Sequence, residues 1–98
     1  MRLATSYSTP SGGDTKQVTV GTSAVQLADA ETPCRIVVIK ADDDNSGNIY
    51  IGFSSSVSTS SGFRLAAGQA ITIEINDLSK LWIIADSADQ KVHIIWLK

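Results

Sequence analysis

The sequence predicts an all-β fold: a small antiparallel β-sandwich of jelly-roll-like type with seven to eight strands. Three observations predict it. Short β-branched runs recur along the chain between clusters of Gly, Asn, Asp and Ser, which is the pattern of a sandwich or barrel. No stretch holds a 3.6-residue hydrophobic period over three turns, so no long helix is expected. The connections are too short for the crossovers that parallel strands need, so pairing should be mostly antiparallel.

Residues 1–15 (MRLATSYSTPSGGDT) are rich in Ser, Thr, Gly and Pro and lack a hydrophobic period. They read as a flexible N-terminal arm, with the sandwich domain over 16–98. Val18 and Val20 alternate with polar neighbours, and residues 24–27 do so again beyond Gly21-Thr22. The stretch 23–31 is the one place where a short helical turn competes with strand. Residues 34–41 (CRIVVIKA) are apolar on both parities, as expected of a central strand covered on both faces. In NIYIGF (48–53), Ile49, Ile51 and Phe53 share one side. Across 69–75, Ile71, Ile73 and Ile75 face in while Thr72 and Glu74 face out, the period-2 signature of a half-buried strand. LWIIA (81–85) and VHIIWL (92–97) complete the set. The breaks at 42–47, 54–62, 66–68, 76–77 and 86–90 all carry turn chemistry.

A chain of 98 residues suits one core. The net charge is −2, and the eight basic residues are scattered singly. That argues against nucleic acid, whose footprint is a basic patch, and against a polybasic membrane contact. No apolar run approaches the ~18 residues of a membrane span, and the first 14 residues lack the apolar core of a signal peptide. Cys34 is the single cysteine, which rules out an intrachain disulfide and favours assembly in a reducing cytoplasm.

The residues that could carry chemistry are few. Asp42, Asp43, Asp44 and Asn45, followed by Ser46-Gly47, offer hard oxygen ligands in one loop. The pattern is a weak calcium candidate, because no Glu occupies the twelfth position and no flanking helices are expected. The competing reading is a polar hairpin loop with Gly47 at positive φ. His93 is the only histidine, and with Cys34 it falls short of a zinc set. The two would form a nucleophile–base pair only if folding joined them. The serines at 54–61 lack the Gly-x-Ser-x-Gly elbow, and the glycines lack a phosphate-loop ending. The sequence therefore assigns no catalytic residue, no cofactor and no metal, and reads as a non-enzyme.

Trp82, Trp96, Tyr50, Phe53 and Phe63 are the large anchors besides Tyr7; they are expected to pack the core, with an exposed aromatic platform for sugars as the alternative. The strands at 81–85 and 92–97 are apolar on both faces. That excess makes Trp82, Ile84, His93, Ile95 and Leu97 the interface candidates.

The stretches GTSAVQLADAETPCRIVVIKA, NIYIG, GFRLAAGQAITIEINDLSKLWIIA and QKVHIIWL occur in an order that resembles a group of small virion proteins of tailed phages and prophages. The resemblance spans about four-fifths of the chain and leaves out the arm; its motifs, among them a G-F-x-L-x-x-G-x-x-I-x-I hairpin, are structural. It implies a β-sandwich capsid decoration (cement) or head-fibre-base protein, made in the host cytoplasm and located in the virion. It further implies a homo-oligomer, with a trimer favoured, docked on the major capsid protein or other virion proteins. The alternative function is a carbohydrate- or receptor-binding module of a phage tail or head fibre.

Overall fold

The computed structural model describes residues 11–98. Its strands are β1 (Gly13–Val20), β2 (Val25–Gln26), β3 (Ile36–Ala41), β4 (Ile49–Gly52), β5 (Phe63–Leu65), β6 (Ala70–Glu74), β7 (Trp82–Ala85) and β8 (Gln90–Leu97), with one 3-10 turn at Leu78–Lys80. They form two four-stranded sheets, β1-β8-β3-β6 and β2-β7-β4-β5, and every ladder is antiparallel. The protein is a small all-β sandwich, and this strand order is that of a jelly roll.

The core lies between the sheets and follows strict alternation. From the first sheet come Val37, Ile39 and Ala41 of β3 with Val92, Ile94 and Trp96 of β8; from the second come Ile49, Ile51, Leu65, Ile83 and Ala85. Leu27, Leu78 and Leu81, contributed by the connections, are also buried. Each fully buried aliphatic side chain is worth about 1.5–3 kcal/mol relative to exposure, and burial of this kind is what offsets the entropy of ordering so short a chain.

Four expectations change. Pairing extends back to Gly13, opposite Leu97, so residues 13–15 of the predicted arm belong to the sheet. The backbone amide of Ser11 also donates to Lys98, and that of Lys98 to Gly12, both at 2.7 Å. The cause is that Gly13–Gln17 are exposed along an edge strand; backbone pairing holds them, and pairing leaves no hydrophobic period in the sequence. Residues 1–10, with Tyr7, lie outside the described residues.

Second, consecutive strands change sheets at every step except β4 to β5. The loop at 42–47 is therefore a crossover between sheets rather than a hairpin, and β5 and β6 do not form the hairpin that the motif implied. Gly47 has no positive φ. It is instead a point of close approach, since a Cβ there would lie 2.3 Å from Asp86 Oδ1. Positive φ occurs instead at Gly12, Gly68 and Asp89 among the described residues; Gly68, at +81°, lies in the turn that carries the chain from β5 to β6.

Third, the stretch at 23–31 holds no helix. Val25–Gln26 pair with β7, and Leu27 and Ala28 are buried. The one helical turn is capped by Asp77, whose Oδ1 accepts from the Ser79 amide at 2.9 Å and its hydroxyl at 2.8 Å. The same oxygen accepts from the Thr32 amide at 3.0 Å, so one carboxylate ties the 27–33 loop to the turn.

Fourth, β3 is central in its sheet, between β8 and β6, yet only one of its faces is buried. Ile36 and Val38 point outward and stay half-buried.

Candidate interaction surface

The register of the first sheet fixes which side chains share its outer face. Across β1, β8, β3 and β6 the rows are Gly13–Leu97–Ile36–Glu74, then Thr15–Ile95–Val38–Thr72, then Gln17–His93–Lys40–Ala70. Beyond them Thr19 sits beside Lys91, whose carbonyl accepts from the Asp42 amide at 3.0 Å. Ile36, Val38, Ile95 and Leu97 therefore form one contiguous apolar block in the two central strands. Ile95 is 45% exposed. Outward apolar side chains scattered singly are ordinary; these four are contiguous and rimmed by polar groups, which makes the face a candidate for contact with a partner.

The polar end of this face is ordered by the crossover loop. His93 Nε2 and Asp42 Oδ1 lie 2.6 Å apart, and the other carboxylate oxygen of Asp42 accepts from the Asp44 amide at 3.0 Å. These two bonds, that to His93 first, hold the Asp42 carboxyl below its usual range. Asn45 imitates a strand residue: its side-chain amide donates to the Lys91 carbonyl and its oxygen accepts from the Lys91 amide, both at 2.8 Å. Asp43 stands 3.5 Å from Lys40. The loop proposed for calcium thus uses Asp42 Oδ1 and Asn45 Oδ1 to hold itself to β8, and Asp42 Oδ2 to hold its own backbone. Among the described residues, no group of three or more His, Cys, Asp or Glu side chains gathers as a metal set.

Cys34 and His93 stay apart. Cys34 is buried and its thiol donates to the Ile75 carbonyl at 3.1 Å, while His93 pairs in register with Lys40. Six residues of extended chain between positions 34 and 40 put about 20 Å between the two sites. Burial, reinforced by Asp77, pushes the Cys34 thiol up, the opposite of what a nucleophile needs.

The outer face of the second sheet carries Trp82 and Ile84 of β7, half-buried, beside Tyr50 of β4 and Gln26 of β2. The five interface candidates therefore all point away from the core, but on two opposite faces: Trp82 and Ile84 on one, His93, Ile95 and Leu97 on the other. The sequence missed Ile36 and Val38, which complete the block.

The aromatic expectation is also corrected. Of the five rings expected in the core, only Trp96 is buried; Phe53 and Phe63 are 70% and 58% exposed. The 53–62 loop folds so that Val57 occupies the space over Gly52, where a Cβ would lie 2.6 Å from Val57 Cγ2. Val57 is buried in their place, and the two rings flank a shallow depression lined by Ser54, Ser56 and Ser61.

No family model matches the sequence, and no curated protein matches it. Among solved structures the chain is similar to a protein of Bacillus endospore appendages, described as a novel family of disulfide-linked pili. The two are 14% identical with a TM-score of 0.47, over 99% of this chain and 98% of that one.

Proposed function

We propose that this chain is a non-enzymatic structural protein of a phage virion, a capsid decoration protein that self-associates and docks on the major capsid protein to stabilise the head. The observation that carries the reading is the outward apolar block of Ile36, Val38, Ile95 and Leu97, in the middle of a sheet rather than at its rim. The sequence resemblance to small phage virion proteins supports the same reading, as does a polar inventory spent on loop-holding hydrogen bonds. The test is co-sedimentation of the tagged protein with particles from the cells that make it. The reading expects the protein in the particle fraction, with heads that lack it opening at lower temperature; a protein that stays entirely in the supernatant sinks it.

A second reading, a carbohydrate- or receptor-binding module, is favoured by one observation. Phe53 and Phe63 present exposed rings beside hydroxyl-bearing serines, and sugar rings stack on such faces. A glycan array separates the two: hits abolished by Phe53→Ala would favour this reading, and a blank array removes it.

A further inference from the structure

The outer face of the first sheet is complementary to itself, and we infer that a second copy of this chain covers it. The two copies are related by a two-fold axis that runs along the strands between β8 and β3. The inference rests on the self-associating reading above and names the surface, the symmetry and the contacts.

The case comes from the register. A half-turn about that axis lays β8 on the partner's β3 and β1 on the partner's β6. Leu97 then meets the partner's Ile36, and Ile95 meets the partner's Val38, so the four aliphatic side chains of each copy close on one another. Thr15 meets the partner's Thr72, hydroxyl on hydroxyl. Lys91 meets the partner's Asp42, and the symmetry makes that ion pair twice. His93 falls opposite the partner's Lys40, and Asp42 Oδ1 lies 2.6 Å from the His93 ring within each copy. The two apolar rows of one copy thus meet their own kind in the other, and the Lys91–Asp42 positions meet opposite charge. In an isologous interface residue i meets j and j meets i, and here the pairs that the ladder sets side by side within one sheet are the pairs that meet across the axis.

A two-fold perpendicular to the strands through the Ile95–Val38 row would set Leu97 on His93 and Ile36 on Lys40, apolar against polar, which the axis along the strands avoids. The strands of this face hold eight, eight, six and five residues, so at about 4.8 Å between strands and 3.4 Å per residue two such faces together span roughly 900 Å², the size of a small, weak interface. Aligned sheets pack about 10 Å apart with their side chains interdigitated.

The experiment is sedimentation equilibrium on the full chain with three variants. The wild type should sediment as two chains. Ile95→Lys, which changes an exposed side chain and should melt like the wild type when dilute, should weaken association by at least about 30-fold. Lys91→Glu and Asp42→Lys should each weaken it by about 10-fold alone, because each sets like charges together twice across the axis. Mixed, they should regain the wild-type affinity, since the hetero-pair keeps one Lys91–Asp42 ion pair as in the wild type and forms the other with reversed sign. If Asp42→Lys disturbs its loop and fails to fold, Ile95→Lys and Lys91→Glu still decide. A wild type that is monomeric at 100-µM-order concentration, a mass of three chains, an Ile95→Lys protein of unchanged mass, or a mixture of folded charge variants no tighter than its parts would each overturn the inference. A two-chain protein that fails to sediment with virus particles would sink the virion reading and leave this interface standing; a monomer found on particles would do the reverse.

Discussion

Trp96 shows how a residue can be well buried and badly satisfied. Its ring is 7% exposed, and its indole nitrogen has no hydrogen-bond partner among the described residues. A buried donor without a partner costs about 1–3 kcal/mol, which is set against the large apolar area of the ring. Trp96→Phe removes the orphan donor together with part of the ring, so the cavity term and the relieved donor oppose each other. Urea melts should show a loss below about 1.5 kcal/mol, well under the ~3–5 kcal/mol of a truncation to Ala. Asp77 and Asp42 give the residue-scale pH dependence. Hydrogen bonds from Thr32 and Ser79 hold the Asp77 carboxyl below its usual range, and the His93 and Asp44 bonds do the same for Asp42. A depressed folded value means that the stabilisation is complete above the unfolded value, about 3.9. It is lost as pH falls through the folded one. The thermal midpoint should therefore drop below about pH 4, and Asp77→Asn should start lower and fall less steeply over that window in melts followed by circular dichroism. Alternation alone places Ile95 and Leu97 on the outward parity, so that part of the candidate surface was legible in the sequence. Ile36 and Val38 were not, because a strand apolar on both parities looks the same whether its second face is covered by its own chain or by another.

At the scale of elements, the strands were legible and their connections were not. The Ile71–Ile73–Ile75 alternation reads correctly as one inward face, yet these side chains are only half-buried, because β6 is an edge strand and lacks a neighbour on one side. Burial depends on position in the sheet, and local periodicity carries no record of position. The same limit explains why Trp82 and His93, near each other in the sequence, lie on opposite outer faces: β7 and β8 belong to different sheets, and a short turn can serve a hairpin or a crossover equally well. The crossover at 42–47 is held by Asn45, whose two side-chain bonds reproduce one more step of ladder with Lys91. Asn45→Ala removes both and leaves the Lys91 amide unpaired at the strand end. A loss of about 1–2 kcal/mol is expected, with the Lys91 amide exchanging faster in hydrogen-exchange measurements while amides in mid-β8 keep their protection. An unchanged Lys91 rate would show that the loop is fixed by other contacts.

For the whole molecule, the topology places nearly every sheet neighbour far apart in sequence, and eight short strands must close around one small core. A domain of this size buries only about 60–70% of its unfolded surface, so covering an apolar outer face with a second copy adds to stability by mass action. A partner that binds only the folded chain contributes about 2.7 kcal/mol at 100 times its dissociation constant. For a domain of roughly 100 residues each kcal/mol moves the midpoint by about 4 °C or more. The thermal midpoint of the wild type should therefore climb by about 10 °C as the chain is concentrated from near its dissociation constant to 100-fold above it. The Ile95→Lys variant should melt at one temperature throughout, equal to that of the dilute wild type. Scanning calorimetry at several concentrations checks both. Parallel concentration dependence in the two proteins would mean that association runs through another surface, with the Trp82–Ile84 face of the second sheet the next to test by Ile84→Lys.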